Sequence, residues 1–241
     1  MRVGDRRLPR RVDDGLKRSL DVAVSGFLLV VTLPPLAAIA VAIKVDSPGP
    51  VFFRCRRVGR SGRVFSMLKF RKMVDRAVGI PLTAVDDDRF TTIGRWLSCS
   101  KLDELPQLWN VLRGDMSLVG PRPEDAVFVR LWRDDHPEIL SVRPGITGLS
   151  QLAFARESEL LDPDDRVNDY VGRLLPSKLA LDSLYARSHT LTMDLGILSW
   201  TIVAVVLHGD VAVHRETGRL GVRRRPRVSE AVEVQHTEAA A

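Results

Sequence analysis

The chain has 241 residues, with 36 lysines and arginines against 30 aspartates and glutamates and a net charge of +6. This length supports one good core with appendages and hardly two full domains, and the basic balance favours an anionic partner such as nucleic acid, anionic lipid or a phosphorylated substrate. Cys55 and Cys99 form no CxxC motif. Neither structural zinc nor a disulfide is predicted, and a reduced cytosolic setting is the simplest interpretation.

An apolar run follows a charged amino-terminal segment. Residues 1–15 are rich in arginine and aspartate, which is typical of a loosely ordered arm or the start of an interfacial helix. From Leu20 to Ile43 the chain reads LDVAVSGFLLVVTLPPLAAIAVAI, about the length that spans a bilayer core. Because this run lacks a small-residue cleavage site and leads directly into basic sequence, it is not interpreted as a signal peptide.

Flanking charges and two prolines bear on how this segment meets a membrane. Lysines and arginines lie on both sides of it, from position 2 to 18 and from 44 to 63, whereas a spanning helix has its excess on the cytoplasmic side. Pro34 and Pro35 should break or kink the helix. We therefore expect a re-entrant helix that bends at 32–35, with Thr32 or Ser25 partnering freed main-chain groups. A kinked span and a buried soluble helical hairpin are the alternatives.

The sequence after the breaker DSPGP predicts a β-hairpin. Two alternating runs, VFFRCRRV and RVFSMLKF, flank a GRSG turn, as strands of a hairpin do. Its outward positions are largely arginine, which suits either a solvated face or contact with lipid headgroups. Further on, Asp86, Asp87 and Asp88 are interpreted as a loop leading into a helix N-cap rather than as a metal site. That helix is predicted over about Thr92–Ser98.

Two adjacent acids stand out in the stretch SKLDELPQLWNVL. Asp103 could be an N-cap, Glu104 would favour the positive end of the helix dipole, and Pro106 is tolerated in a first turn. The chemical alternative is that the pair holds a hard divalent cation through oxygen ligands, or that a carboxylate attacks phosphorus. The helix that follows should end at Gly114.

Shorter elements are predicted for the carboxyl-terminal half. MSLVG predicts a strand and FVRLWRDDHPEIL a helix, whereas the glycines of VRPGITGLSQL predict a loop. RVNDYVGRLLPSKLALDSLYARS predicts helices interrupted at Pro176. The apolar stretch 195–207 is too short to span comfortably, so an interfacial or core helix is expected. From Gly209 the chain has little to bury and is predicted to be disordered.

Two arginines next to prolines are candidates for binding phosphate. Arg122 lies between Pro121 and Pro123, and Arg143 precedes Pro144, so both side chains should be presented from restricted backbone, as preorganised phosphate binding requires. Surface salt bridges are the alternative. The chain contains no P-loop, GxGxxG, HExxH or GxSxG motif, and its histidines, at 136, 189, 208, 214 and 236, have no ligand spacing.

Three motifs in this order resemble the bacterial sugar transferase family, the monotopic phosphoglycosyl transferases that load a polyprenyl phosphate carrier with a sugar phosphate. They are KFRKM, LDELPQLWNVLRGDMSLVGPRPE and RPGITGLSQ, after a proline-broken apolar helix. The resemblance runs from about Lys17 to Leu207. It implies that Asp103 is the nucleophile and a ligand of Mg²⁺, that Glu104 is its partner acid, and that Arg122 binds phosphate.

Further arginines complete the predicted phosphate-binding set, and the chain departs from the family pattern at three positions. Arg71 of KFRKM, Arg95 and Arg143 are assigned with Arg122 to the phosphate-binding set. The family commonly has serine before the proline of its helix, where this chain has Leu33. It often has arginine in place of Ser98 and serine in place of Lys101, so that Lys101 or Arg95 would compensate for Ser98.

We therefore predict an α+β, mainly helical fold. It comprises a basic arm (1–15), a re-entrant membrane helix hairpin (16–45), a small globular catalytic domain with a β-hairpin and interfacial helices (46–208), and a disordered tail (209–241).

The predicted reaction moves a sugar phosphate from a nucleoside diphosphate sugar, a UDP-sugar, to polyprenyl phosphate through a phosphosugar-aspartyl intermediate, with Mg²⁺, at the cytoplasmic face of the inner membrane. Membrane lipids are expected partners, a homo-oligomer is compatible with the sequence, and a nucleic-acid partner is not expected. Competing interpretations are a membrane-anchored scaffold, a nucleic-acid binder and a lipid phosphatase.

Overall fold

The computed structural model describes residues 10–75, 77, 82, 87–162, 165–207 and 209–222, with the backbone alone at 10–13 and 158–159. The described part is mainly helical with three small sheets, which confirms the predicted α+β class. The helices are α1 Arg10–Asp46, α2 Thr92–Ser100, α3 Gln107–Arg113, α4 Ala126–Trp132, α5 Leu149–Ala153, α6 Glu157–Leu160, α7 Arg166–Asp169, α8 Leu175–Ser188 and α9 Leu191–Val206. The strands are β1 Phe52–Val58, β2 Val64–Phe70, β3 Ser117–Val119, β4 Gly145–Thr147, β5 Val211–Val213 and β6 Leu220–Val222.

Helix α1 continues through Pro34 and Pro35, so the prolines predicted to break or kink the chain at 32–35 do not divide it into two helices. Within the described residues it is the one helix long and apolar enough to cross a membrane. Residues 10–15 of the predicted arm belong to it, because the helix begins at Arg10; residues 1–9 lie outside the described part. The Thr32 hydroxyl donates to Leu28 O at 2.6 Å, while the buried Ser25 hydroxyl has no partner among the described residues.

Both ends of α1 attach to the same globular unit. Near its start, Arg18 donates to the carbonyls of Val111 (2.7 Å) and Leu112 (3.0 Å) at the end of α3. At its end, the Asp46 carboxylate accepts the main-chain N–H of Ile93 in α2 at 3.1 Å. The middle of the helix leaves large apolar side chains exposed, among them Phe27, Val30 and Leu33. The helix is therefore fixed by polar contacts near both ends, and between them one side packs on the globular unit through residues such as Leu29 and Ile39 while the other side remains exposed.

The predicted β-hairpin is confirmed. Strands β1 and β2 pair antiparallel from Phe52 opposite Phe70 to Val58 opposite Val64. The main-chain N–H of Val58 also donates to Glu124 O at 3.0 Å. This bond joins the hairpin to the rigid turn that contains Arg122.

Two expectations are corrected in the carboxyl-terminal half. The segment VRPGITGLSQL, predicted as a loop, contains β4, which pairs parallel with β3, and α5. A Cβ on Gly145 would lie 2.1 Å from Gly120 N, so the glycines that suggested a loop instead permit close approach of two strands. The tail predicted as disordered from Gly209 forms the antiparallel pair β5–β6 as far as Val222, because Val211 packs into the main core. Residues 223–241 lie outside the described part.

The other helical predictions agree with the structure, with adjusted ends. FVRLWRDDHPEIL forms α4 and then a separate 3-10 turn over Pro137–Ser141. Pro176 lies in the first turn of α8, directly after a π-helical stretch over Tyr170–Leu174. The main core gathers apolar side chains from α3, β3, α5, α8 and α9, including Val111, Leu118, Leu149, Leu181 and Ile197.

Candidate active site

Asp103 lies in a tight connection between two helices. Helix α2 ends at Ser100, Lys101 takes a left-handed conformation (φ 60°, ψ 10°), and Leu102–Glu104 forms a 3-10 turn before α3. Asp103 is only 2% exposed. The N-cap of α3 is Pro106, and among the described residues no group donates a hydrogen bond to the Asp103 carboxylate. The interpretation of Asp103 as an N-cap is therefore wrong, because the 3-10 turn separates it from the start of α3.

Among the described residues, Lys72 is the cation that forms an ion pair with this carboxylate. Its Nζ lies 3.6 Å from Asp103 Oδ2 and 3.3 Å from Ser98 Oγ, above the ring of Phe90. Burial lowers the pKa of Lys72, and the negative charge of Asp103 opposes that shift. Gly94 lets α2 approach the chain at this point, since a Cβ there would lie 1.8 Å from Lys72 O. The buried carboxylate thus has a cationic neighbour and free acceptor capacity.

Glu104 is held by a second lysine. Lys69 Nζ, near the end of β2, lies 2.8 Å from Glu104 Oε1. Burial would raise the pKa of Glu104, but the positive charges of Lys69 and Arg122 outweigh it and lower the pKa to about 2. Glu104 is therefore a carboxylate throughout the physiological range.

Arg122 faces a group of carboxylates without bonding to them. Burial would lower the pKa of its guanidinium, but the charges of Glu104, Glu157 and Glu124 raise it above its ordinary value. Among the described residues, none accepts a hydrogen bond from this side chain. A guanidinium that lies near the acids and keeps its donors free is well suited to bidentate binding of two phosphate oxygens.

A buried network supports the turn that contains Arg122. Glu124 accepts hydrogen bonds from Tyr170 Oη at 2.9 Å and from Lys178 Nζ at 3.2 Å. Lys178 also donates to Tyr170 Oη at 2.9 Å and ion-pairs with Glu157 at 3.2 Å. These contacts fix the PRPE turn on α8 and the π-helical stretch before it, which positions Arg122 from behind.

A buried asparagine aligns β2 with the acids. Asn110 of α3 accepts the main-chain N–H of Leu68 at 2.9 Å and donates to Ser66 O at 2.8 Å. These two bonds tie the strand to the helix that follows Asp103 and Glu104. Lys69 and Lys72, which leave the end of that strand, are thereby directed to the carboxylates.

Three of the arginines predicted to bind phosphate have other surroundings. Arg71 is buried and donates to Ser47 O at 2.8 Å, to the Ser47 hydroxyl at 2.9 Å and to Pro48 O, so it braces the end of α1. Arg95 is exposed on α2. Arg143 donates from Nε to Gly114 O at 3.1 Å. The structure brings Asp103, Glu104 and Arg122 together, and no described contact links these three arginines to them.

Lys69, Lys72 and Glu124 were not among the predicted site residues. The first two belong to KFRKM and the third to PRPE, both within the motifs that carry the resemblance to the family. The two lysines could have been predicted from the sequence, because they lie at the end of a predicted strand that precedes the two acids. Which cations at the end of this strand face the acids could not be predicted, because that depends on the contact between β2 and α3.

The described residues contain no cluster of three or more histidine, cysteine or acidic side chains that could enclose a metal. Mg²⁺ is usually bound by one or two carboxylates together with substrate phosphates. Asp103, with its free acceptor oxygens, fits that shared kind of site and not a cage made by the protein alone.

Comparison with known sequences gives one family and several relatives. The sequence profile described as bacterial sugar transferase matches residues 12–208. A UDP-glucose:undecaprenyl-phosphate glucose-1-phosphate transferase of Caulobacter vibrioides is 38% identical over 205 residues, which cover 83% of this chain and 73% of that protein. An undecaprenyl-phosphate glucose phosphotransferase of Komagataeibacter xylinus is 39% identical over 195 residues, which cover 77% of this chain and 35% of that protein.

A third relative is close to this chain in length. The exopolysaccharide production protein PSS of Rhizobium leguminosarum bv. phaseoli is 37% identical over 204 residues, which cover 80% of this chain and 96% of that protein. The chain therefore spans nearly all of one relative and about a third of another.

Proposed function

Since the chain belongs to the bacterial sugar transferase family and is a phosphoglycosyl transferase by that membership, we propose that it transfers a sugar phosphate from a UDP-sugar to undecaprenyl phosphate. The products are a polyprenyl diphosphate sugar and UMP. The names of the relatives support this pairing of donor and acceptor. The proposed role is the first membrane step of exopolysaccharide or other glycoconjugate synthesis; the name of the Rhizobium relative supports exopolysaccharide production.

The observation that carries the proposal is the buried Asp103 carboxylate, which accepts no hydrogen bond from the described residues and has Lys72 3.6 Å away. A carboxylate used only for structure is normally hydrogen-bonded when buried. A buried carboxylate that lies beside a cation and accepts no such bond is a competent nucleophile, because attack does not first require breaking a bond to another protein group.

The proposed reaction has two displacements. An Asp103 carboxylate oxygen attacks the β-phosphorus of the UDP-sugar; the bond from that phosphorus to the bridging oxygen breaks, and UMP leaves with the bridging oxygen. The sugar phosphate is then an acyl phosphate on Asp103. A phosphate oxygen of undecaprenyl phosphate attacks the same phosphorus, and the Asp103 carboxylate is released unchanged.

The neighbouring charges have separate tasks. Arg122 is free to donate to phosphate oxygens, on which negative charge must be stabilised during transfer. Lys72 offsets the charge of Asp103 beside an anionic substrate. Glu104, held by Lys69, fixes the chain next to the nucleophile. Mg²⁺, with Asp103 as the protein ligand, would neutralise the pyrophosphate of the donor.

The proposed location is the cytoplasmic face of the inner membrane, with α1 re-entering from that face. The attachment of both helix ends to one globular unit supports re-entry. In a chain with Cys55 and Cys99 replaced by serine, Gly15→Cys and Val45→Cys would be labelled with an impermeant maleimide in sealed, inside-out vesicles. Labelling of both indicates re-entry, whereas labelling of only one indicates a span.

The reaction is tested in vesicles that contain undecaprenyl phosphate and Mg²⁺, with a panel of UDP-sugars and UMP release as the measurement. Asp103→Asn should lower the rate by at least about a thousandfold, as expected for loss of a nucleophile. Asp134→Asn, at an aspartate whose side chain is 89% exposed, is the matched control. If Asp103→Asn released UMP at the same rate as the wild type, the proposed mechanism would be refuted. Sustained UMP release without undecaprenyl phosphate would indicate a phosphatase. If no UDP-sugar gave UMP release, the chain would instead be a membrane-anchored scaffold.

A further inference from the structure

An open cavity lies between the first turns of α1, the start of β3 and residues 141–143. Its lining includes Lys17, Arg18, Arg60, Ser117 and Arg143, and none of the residues assigned above to the Asp103 site. A ligand held here is therefore bound by a different set of side chains from the one that would carry out the transfer.

A buried hydroxyl in this cavity needs an acceptor. Ser117 is 1% exposed and lines the cavity, and its Oγ has no hydrogen-bond partner among the described residues. Buried hydroxyls in proteins are, as a rule, hydrogen-bonded. The main-chain N–H of Ser117 is already used, by Pro144 O at 2.8 Å. The hydroxyl is thus available to a ligand with acceptor oxygens.

Two guanidiniums in the same cavity have free donors. Arg143 uses only Nε, toward Gly114 O, and the exposed Arg60 makes no side-chain hydrogen bond to a described residue. Burial lowers the pKa of Arg143, and the like charges of Arg18 and Arg60 lower it further. An anion between these arginines would relieve that repulsion.

The remaining charges of the cavity are mostly satisfied within the protein. Lys17 is paired with Asp194 at 2.7 Å, and Arg18 donates to two carbonyls of α3. Asp21 accepts the main-chain N–H of Leu118 at 3.1 Å, which leaves the exposed Asp14 as the acid without such a bond. The unsatisfied positive charge of Arg60 and Arg143 exceeds the negative charge of Asp14, so the cavity selects an anion.

The position of the cavity on α1 indicates what kind of anion reaches it. The lining residues of α1 lie between 14 and 21, immediately before and at the start of the apolar run. A helix that inserts from Leu20 onward holds these turns at the depth of lipid headgroups. We propose that this cavity binds the phosphate of a membrane phospholipid headgroup, through Arg60, Arg143 and Ser117, as a lipid that is not consumed. The assignment to a lipid rests on the membrane insertion of α1 in the proposed function.

The test measures binding directly, with the full chain in a non-ionic detergent. The probes are dihexanoyl phosphatidylglycerol, dihexanoylglycerol with the same acyl chains and no phosphate, inorganic phosphate and a short polyprenyl phosphate. Binding is followed by native mass spectrometry for the wild type, for the double variant Arg60→Gln/Ser117→Ala, and for Arg63→Gln. Arg63 lies three residues further along, is exposed and does not line the cavity, so its variant controls for loss of one positive charge.

Phosphatidylglycerol should bind the wild type more tightly than dihexanoylglycerol, and the double variant should lose about tenfold or more of that affinity, as expected for two lost donors to a charged group. Arg63→Gln should change it by less than about twofold. Equal binding of the two diacyl probes, or an unchanged double variant, overturns the proposal. So does discrimination that appears only with inorganic phosphate or only with polyprenyl phosphate. Repeating the measurement with Asp103→Asn separates the two proposals, since lipid binding should persist there even if the transfer mechanism is wrong.

Discussion

Lys72 Nζ lies 3.6 Å from Asp103 Oδ2 and donates to Ser98 Oγ at 3.3 Å, so one ammonium joins the buried carboxylate to α2. The resemblance to the family implies arginine at position 98 and names Lys101 or Arg95 as the compensating cation. In the structure the cation that contacts Ser98 is Lys72. Lys72 therefore supplies positive charge at the point where serine replaces arginine.

Replacing Lys72 by methionine should reduce UMP release by about 10-fold to 100-fold, since a charged donor next to the proposed nucleophile is lost. Lys72→Arg keeps the positive charge and should retain more of the rate. Initial rates with saturating UDP-sugar and undecaprenyl phosphate check this, with Arg133→Gln, an exposed surface arginine, as the control. A fully active Lys72→Met would show that this ammonium has no part in the reaction.

The stability contributed by Glu104 should depend on pH. The pKa of Glu104 is lowered from 4.5 to about 2 in the folded protein, so the folded state favours the carboxylate. This contribution is fully present above about pH 4.5 and is lost as the pH falls toward 2. The difference in thermal unfolding midpoint between the wild type and Glu104→Gln, measured in detergent, should shrink from pH 7 to pH 3. For Glu216→Gln, on an exposed turn, the midpoint should match the wild type at each pH; a constant gap for Glu104→Gln would contradict the assignment.

Asp182 should show the opposite dependence. It is buried on α8, and burial raises its pKa from 3.8 to about 7. The folded state therefore binds the proton more tightly than the unfolded chain. The contribution of Asp182 to stability is most favourable below about pH 4 and is lost as the pH rises to 7. Asp182→Asn, which cannot ionise, should have a higher thermal unfolding midpoint than the wild type at pH 8, and this difference should disappear at pH 4. A larger gain at pH 4 than at pH 8 would show that the sign is wrong.

Lys101 should tolerate glycine without loss of stability. Lys101 connects α2 to the 3-10 turn that contains Asp103, and its φ is 60°. This left-handed conformation costs a residue with a side chain roughly 1 kcal/mol compared with glycine. Lys101→Gly should therefore raise the free energy of unfolding by up to about 1 kcal/mol, less the entropy that glycine adds to the unfolded chain. Lys101→Val, which disfavours the left-handed region, should lower it. Chemical denaturation in detergent measures both, and a more stable Lys101→Val would exclude strain at this position.

Local pattern was enough for several parts of the molecule. The apolar run, the hairpin around GRSG, the strand MSLVG and the acid pair in LDELPQL depend on periodicity, turn chemistry and residue type, which neighbouring residues determine. Arg122 became a candidate in the same way, from its position between two prolines. Glycine was the misleading signal, because at Gly145 and Gly120 it allows two strands to approach and does not mark a loop.

Contacts between distant segments decided the rest. The sequence made Asp103 and Glu104 candidates for the site, but only the packing of β2 on α3, with Asn110 between them, selects Lys69 and Lys72 as their neighbours. Arg71, from the same motif, lies at the end of α1 instead. Likewise, only the tertiary structure separates Arg143 from Arg122, since both follow from the same proline-adjacent pattern. The sequence determines which charged residues the chain contains and where they occur. Only the tertiary structure determines which of them face one another, because this depends on the burial and register of elements that are far apart in the sequence.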